Sequence, residues 1–253
     1  MNFESELKNI IDSFAPISLK EMDDVSMMRR VDSKFVLNIN LLPLLLKKAL
    51  VDYFLLEINN TREQIYETTY FDTNDYAMYT NHHNGKLNRH KIRIRKYISS
   101  GIGFLEVKRK NNKGETIKNR IKCPIDDNQL DFNGSSGFLE KYTPFSDKIL
   151  WPKLSNRFTR LTMVNKDFSE RITIDFNLRL TDLKYHNQIT NSNLCIVEIK
   201  RNRDSKKSQF LNTLCELKIN SCGFSKYCLG LAMLNPEVKK NLFKQKISEL
   251  EKL

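Results

Sequence analysis

KIRIRKY, residues Lys91–Tyr97, is followed by FLEVKRK (Phe104–Lys110) and TIKNRIK (Thr116–Lys122), and in each run cationic side chains recur at every second position. Side chains on a β-strand point alternately to its two faces, so a strand reading puts Arg93 and Arg95 on one side. By the same rule Glu106, Lys108 and Lys110 share a face, as do Lys118, Arg120 and Lys122. The opposite parity holds Ile92, Ile94, Leu105, Val107, Ile117 and Ile121, so each strand is apolar on one face and cationic on the other. Two cations about 4 Å apart repel by roughly 4 kcal/mol at an effective dielectric of ~20, so a face that gathers several needs water, acids or a bound polyanion. One such strand reads as a solvated sheet face. Three in succession read as a concave site for a chain of phosphates.

The chain has 253 residues, a formal net charge of +12 and a pI near 9.4, with the excess of Lys and Arg concentrated between residues 86 and 122. That balance implies an anionic partner. No Gly/Ser/Pro-rich linker divides the sequence, so one domain is expected over 1–253: N-terminal helices in 1–30, a barrel in 31–232 and a C-terminal helix in 236–253. Five cysteines without a CxxC pair fit reduced thiols rather than disulfides or a zinc site. The N-terminus lacks a basic start and an apolar core, and the aliphatic run Leu41–Leu46 is interrupted by Pro43, so the expectation is a cytoplasmic protein with no membrane segment.

Residues 3–14 and 18–30 read as amphipathic helices, 31–37 as a strand, and 41–51 as a helix capped by Asn40 with Pro43 in its first turn. Residues 65–72 are β-rich, and Asp72 opens a turn. Gly- and Asn-containing turns separate the three cationic strands into an antiparallel meander. Further strands are expected at 157–164, 170–176, 178–183 and 194–200, and helices at 205–219, capped by Ser205, and 236–252, capped by Asn235.

Four more segments place acids and bases on one strand face: Asp32 and Lys34, Arg160, Arg171 with Asp175, and Glu198 with Lys200. Closing such strands into a barrel would aim all of these side chains into one lumen. A lumen so charged is no core. It suits a tunnel whose cations hold phosphates and whose few carboxylates hold a divalent metal, because Mg²⁺ or Mn²⁺ bridges protein carboxylates and substrate phosphates.

The DSKF strand, YFDT (Tyr70–Thr73), IRIRKY, FLEVK, the KNR strand, the RxxxD of RITID, IVEIK and FSKYCLG (Phe224–Gly230) together resemble, over residues 28–232, the VTC domain. This is the polyphosphate-polymerase branch of the CYTH or triphosphate tunnel metalloenzyme superfamily. The resemblance implies an α+β fold, an antiparallel eight-stranded β-barrel tunnel with flanking helices. It also implies transfer of the γ-phosphate of ATP to a growing polyphosphate chain, with Mn²⁺ or Mg²⁺ as cofactor. Carried over by position, it implies that Lys34, Arg93, Arg95, Lys108, Lys118, Arg160, Arg171 and Lys226 bind phosphate and that Glu198 binds the metal, with Arg93, Arg95 and Lys108 as the catalytic cations. Arg120 and Lys200 join the phosphate-binding set, and Glu106 and then Asp32 stand next as metal carboxylates.

The sequence departs from the family pattern at three places. Phe158 stands where a Tyr is frequent, and a shifted register would select Arg157 in place of Arg160; Gly223 replaces a basic residue; and Arg30, Asp32 and Lys34 occupy the positions of the ExExK strand of hydrolytic members. Losing the first acid of that strand fits a transferase, whose phosphate nucleophile is already ionised, better than a hydrolase that must deprotonate water. The alternatives are a metal-dependent triphosphatase and a non-enzymatic polyphosphate-binding module. Nucleic acid is not expected as a partner, since the cationic face holds few aromatics for base stacking. Asp32 and Asp175 have a plainer reading as partners that orient arginines, and Tyr66, Tyr70 and Phe71 as wall packing.

Overall fold

The structure, a computed structural model, describes residues 2–23, 30–126, 129–202 and 208–253. The first half comprises α1 (Phe3–Asp12), β1 (Ala15–Ile17), α2 (Leu19–Asp23), β2 (Arg30–Asn38), α3 (Leu42–Ala49), β3 (Tyr53–Leu56), β4 (Gln64–Asp72), α4 (Ala77–His83), β5 (Arg89–Tyr97), β6 (Ile102–Lys110) and β7 (Thr116–Cys123). Then come α5 (Ser135–Tyr142), β8 (Trp151–Asn165), β9 (Glu170–Asp182), β10 (Gln188–Asn191), β11 (Leu194–Asn202), α6 (Gln209–Glu216), α7 (Lys226–Leu234) and α8 (Lys244–Leu250). Among the described residues no helix is long and apolar enough to cross a membrane.

The strands form one eleven-stranded sheet whose main path runs β2-β11-β9-β8-β4-β5-β6-β7. Its pairings are antiparallel, apart from the short parallel contact of β1 with β3. The eight strands of the path match the expected number, but the expected closed barrel does not form: β2 and β7 end the path and do not pair with each other. Two features account for this. The outer edge of β2 is taken by the segment before α7, where the Cys222 N–H donates to the Lys34 carbonyl at 2.7 Å and Ser221 bridges Phe35. The 15-residue β8 and 13-residue β9 also overrun the path and recruit β3 and β10.

The sheet nevertheless curls into a trough. Lys34 on β2 and Lys91 on β5 reach consecutive residues of the same segment, the Phe224 carbonyl at 3.3 Å and the Ser225 hydroxyl at 2.9 Å. On the convex face, Phe35, Leu37, Leu161, Met163, Ile172, Ile174, Val197 and Ile199 pack beneath α1, α3 and α6. Further along it, Ile92, Ile94, Leu105 and Val107 pack against Phe138 and Leu139 of α5. The apolar parity of the three cationic runs is therefore the half that anchors those strands.

One helix lies on the concave side, where the sequence reading placed none. Residues Tyr227–Ala232 of α7 are all buried, against Tyr70, Leu154, Phe158, Leu178 and Ile196. A Cβ on Gly230 would stand 2.7 Å from a Leu154 methyl, so glycine is what lets α7 approach β8 this closely. At the trough's other end Val164 and Leu56 pack with Ile17 and Met22.

Other boundaries differ from expectation for local reasons. Asn40 does not cap α3: it lies within a 3-10 turn, Ile39–Leu41, that leads into the helix and is itself capped by Asn38, which accepts the Asn40 N–H at 3.0 Å. Ser208 caps α6, accepting the Leu211 N–H at 3.1 Å, while Ser205 lies outside the described residues. Helix α2 ends at Asp23, residues 24–29 of the expected helix lie outside the description, and residue 30 already belongs to β2. The closing helix is confined to Lys244–Leu250, because Asn235 is buried and its amide donates to Asp182 at 2.7 Å and to the Tyr76 hydroxyl at 2.9 Å. The strands expected at 170–176 and 178–183 are one strand, β9, in which Asn177 adopts φ 53° opposite a register shift in β8.

Asp72 is more than a turn residue. Its fully buried carboxylate accepts the N–H groups of Thr73 at 2.8 Å and of Met78 and Tyr79 at 2.9 Å, and the Tyr227 hydroxyl of α7 donates to it. It thereby satisfies the first turn of α4 and ties β4, α4 and α7 together. Asp72→Ala is expected to cost about 3 kcal/mol, because several buried donors lose their acceptor, whereas Asp75→Ala costs about 0.5–1 kcal/mol. Urea midpoints of the two variants check this contrast.

Candidate functional site

Cross-strand partners share a sheet face, so the register assembles the site row by row. On one flank Lys91 of β5 pairs with Lys108 of β6, which pairs with Lys118 of β7; the next row is Arg93–Glu106–Arg120, and the next Arg95–Phe104–Lys122. On the other flank Lys34 of β2 pairs with Glu198 of β11 and then Thr173 of β9; Asp32, Lys200 and Arg171 make the adjoining row, and Arg160 of β8 pairs with Asp175. Lys226 enters from the first turn of α7. The trough thus brings together Lys34, Arg93, Arg95, Lys108, Lys118, Arg120, Arg160, Arg171, Lys200, Lys226, Glu198, Glu106 and Asp32. The side chain of Arg30 lies outside the description.

The carboxylates on this face are engaged by cations. Arg93 donates to Glu106 through Nε at 2.7 Å and Nη2 at 2.5 Å, and Lys118 approaches the other Glu106 oxygen at 3.3 Å. Arg160 grips Asp175 in a two-pronged pair at 2.5 and 2.8 Å, and Lys226 donates to the same carboxylate. Lys200 stands between Glu198 at 3.1 Å and Asp32 at 3.2 Å. Asp175 is therefore a partner that fixes Arg160, as its plainer reading proposed.

Other cations are left with weaker company. Among the described residues Arg95 reaches only the Thr68 hydroxyl at 3.3 Å and the Tyr66 ring at 5.7 Å, and Arg120 lies over Phe104 at 4.5 Å. Among the described residues Lys108 makes no hydrogen bond or ion pair, and the row Lys91–Lys108–Lys118 contains no acid.

Ionisation follows this map. Burial pushes the Glu106 carboxyl up, but Arg93, Arg95 and Lys118 outweigh it and hold the group far below the usual carboxylate range. Asp175 is held down in the same way by Arg160 and Lys226 against its burial. For Glu198, burial is outweighed by Lys34, Lys200 and Arg160, which bring it to about 2. Lys108 is pushed well below the ordinary lysine value by Arg93, then by burial and Arg95. Burial also lowers Lys91 and Lys226. Tyr70, whose hydroxyl lies 3.4 Å from Arg93, would be raised by burial, yet Arg93, Arg95 and Lys226 bring it down to about 8. The site is an electrostatic well for anions.

Several participants escaped the sequence reading. Lys91 shares the parity of Arg93 and Arg95, and that alternation was the signal that marks it. Asn156 and Thr173 carry buried side-chain polar atoms without a partner among the described residues, and their registers with Thr68 and Glu198 put them on the trough face. Nothing in LSNRFTR singles out Asn156. Arg157, the alternative to Arg160, belongs to the outer face, where it pairs with Glu67.

Among the described residues no three His, Cys, Asp or Glu side chains gather as a metal cage. Glu106 has both oxygens occupied by cations. Glu198 with Asp32 fits a divalent ion bound mainly by waters and substrate phosphates, a mode that needs one or two ionised carboxylates.

A family model described as VTC domain matches residues 29–235. No curated protein sequence matches the chain. Among solved structures, a candidate adenylate cyclase from Vibrio parahaemolyticus is similar at 13% identity and a TM-score of 0.43, over 79% of this chain and 96% of that one. A candidate adenylyl cyclase from Hippeastrum, described as having a dominant triphosphatase activity, is similar at 14% identity and a TM-score of 0.49, over 83% of this chain and 98% of that one.

The field at Tyr70 is open to direct measurement. In an absorbance titration of the folded protein, one of the nine tyrosines should ionise near pH 8, and Tyr70→Phe should abolish that step. A titration in which no tyrosine ionises clearly below the ordinary value of 10.0 contradicts the convergence of Arg93, Arg95 and Lys226 on this face.

Proposed function

This chain belongs to the VTC domain family, and from that premise we propose that it is a divalent-metal-dependent polyphosphate polymerase, moving the γ-phosphate of ATP onto a polyphosphate chain held in the trough. The observation that supports the reading most is the acid-free row Lys91–Lys108–Lys118 beside Arg93 and Arg95. A phosphate chain laid along it replaces mutual repulsion among cations by attraction.

Phosphoryl transfer passes through a loose transition state whose charge spreads over the phosphoryl oxygens, so catalysis is mainly positioning and charge neutralisation. Arg93, pinned by Glu106, offers a fixed guanidinium, while Arg95 and Lys108 are free to close on phosphate oxygens. Arg160, Arg171, Lys34, Lys118, Arg120, Lys200 and Lys226 hold the remainder of the chain. Glu198, with Asp32, would hold Mn²⁺ or Mg²⁺, which when bound neutralises phosphate charge. Glu106 is reassigned from metal ligand to the anchor of Arg93.

The state of the carboxylates favours transfer over hydrolysis. A general base works best with a pKa near the operating pH, and Glu106, Asp175 and Glu198 are held far below that by their cations. The terminal phosphate of an acceptor chain is already ionised and needs no base.

Incubation of the pure protein with ATP and Mn²⁺ should yield ADP together with long-chain polyphosphate. Release of free phosphate instead would make the protein a triphosphatase, and binding without turnover a non-enzymatic module. Arg93→Ala, Arg95→Ala and Lys108→Ala should each lower kcat/KM by roughly two orders of magnitude, the usual loss for a positioned charge at a transferring group. Arg109 is exposed on the opposite parity, so Arg109→Ala should change activity by no more than about 0.5 kcal/mol. Glu198→Gln should keep the fold and metal-free polyphosphate binding but lose metal-dependent turnover. Equal losses in Arg109→Ala and Lys108→Ala would overturn the assignment of faces.

A further inference from the structure

A second cationic feature lies on the outer face of the sheet. There Glu67 of β4, Arg157 of β8, Arg179 of β9 and Thr190 of β10 stand in one cross-strand row. Arg157 pairs with Glu67, but Arg179, directly beside it, has no hydrogen bond or ion pair among the described residues. Like charges in direct cross-strand register are destabilising, so one carboxylate for two guanidiniums leaves this row short of negative charge.

The row borders a cavity of about 290 Å³. Besides the two arginines, Thr159, Asn177, Thr190 and Ser192 line it, and among the described residues none of these side chains donates or accepts a hydrogen bond within the protein. The cavity's shape comes from a local irregularity: the register of β8 against β9 shifts between Arg157 and Thr159, and Asn177 takes φ 53° opposite it. Leu178 and Leu180 are buried beneath α7 on the trough side, so Arg179 between them faces away from the trough.

We propose that this cavity binds a phosphate-class oxyanion, separately from the trough, with Arg157 and Arg179 clamping the anion and the Thr159, Thr190 and Ser192 hydroxyls completing its hydrogen bonds. Guanidiniums suit this role because their donors form planar forks that match tetrahedral oxyanions. The site stands whether or not the trough carries out polymerisation.

Nuclear magnetic resonance of the intact protein tests it, following arginine side-chain N–H and backbone amide signals as pyrophosphate is added. Saturable shifts at Arg157, Arg179, Thr190 and Ser192 are expected. Arg179→Ala should weaken that response at least tenfold while leaving the Arg93 and Arg95 response to pyrophosphate intact. A parallel titration with adenosine monophosphate separates the free anion from a nucleoside-borne phosphate; saturation at these residues in either arm sustains the site and names its source. Shifts confined to the trough overturn it, as do outer-face shifts that never saturate and are matched by sodium chloride at equal ionic strength.

Discussion

Lys91, Lys108 and Lys118 sit side by side on adjacent strands with no acid in their row, and Arg93, Arg95 and Arg120 lie one or two rows away on the same face. The period of two in a β-strand forces that arrangement once the alternate residues are isoleucine, leucine and valine that must be buried. The strands cannot slip by one residue without exposing Ile92, Ile94, Leu105 and Val107, all of which are essentially inaccessible. Burial on the convex face therefore holds cations together on the concave one. The acids there reduce the repulsion locally: Glu106 serves Arg93 and Lys118, and Asp175 serves Arg160 and Lys226. Removing such a buried carboxylate typically costs about 3–5 kcal/mol, because it strands the partner charge.

Helix α7 joins this charged face to the rest of the molecule. Its first residue supplies Lys226, its capping Ser225 takes Lys91, and its Tyr227 stacks on Tyr70 at 5.1 Å while donating to Asp72. Asp72 in turn holds the first turn of α4. The apolar end of the trough is thus connected to the cations by a few named contacts. The close approach at Gly230 makes that end sensitive to any added side-chain volume.

Alternation made the faces of β5, β6 and β7 legible in the sequence, because an apolar parity is visible wherever it is burial that selects it. The order of motifs likewise pointed to the strands carrying Lys34, Arg160, Arg171 and Glu198. Closure was not legible: whether β2 meets β7 depends on what else occupies the β2 edge, and Ser221 and Cys222 carry no sign of doing so. Helix α7 was hidden because KYCLGLAML is apolar all round and so lacks the periodicity that betrays a surface helix. That Arg93 and Lys118 occupy both oxygens of Glu106 is likewise invisible in the sequence, because the three side chains meet only across neighbouring strands. Asp72 looked like a turn residue because its acceptors' partners, Met78, Tyr79 and Tyr227, come together only in three dimensions.

In the proposed complex phosphate lies along the Lys91–Lys108–Lys118 and Arg93 rows with a divalent ion at Glu198. The most direct measurement is a crystal structure with a non-hydrolysable triphosphate and Mn²⁺, with the ion located by its anomalous scattering. Phosphoryl groups are expected in contact with Arg93, Arg95 and Lys108, with a manganese peak beside Glu198. Phosphates found away from the concave face, or manganese seated at Glu106 with Arg93 displaced, would contradict it.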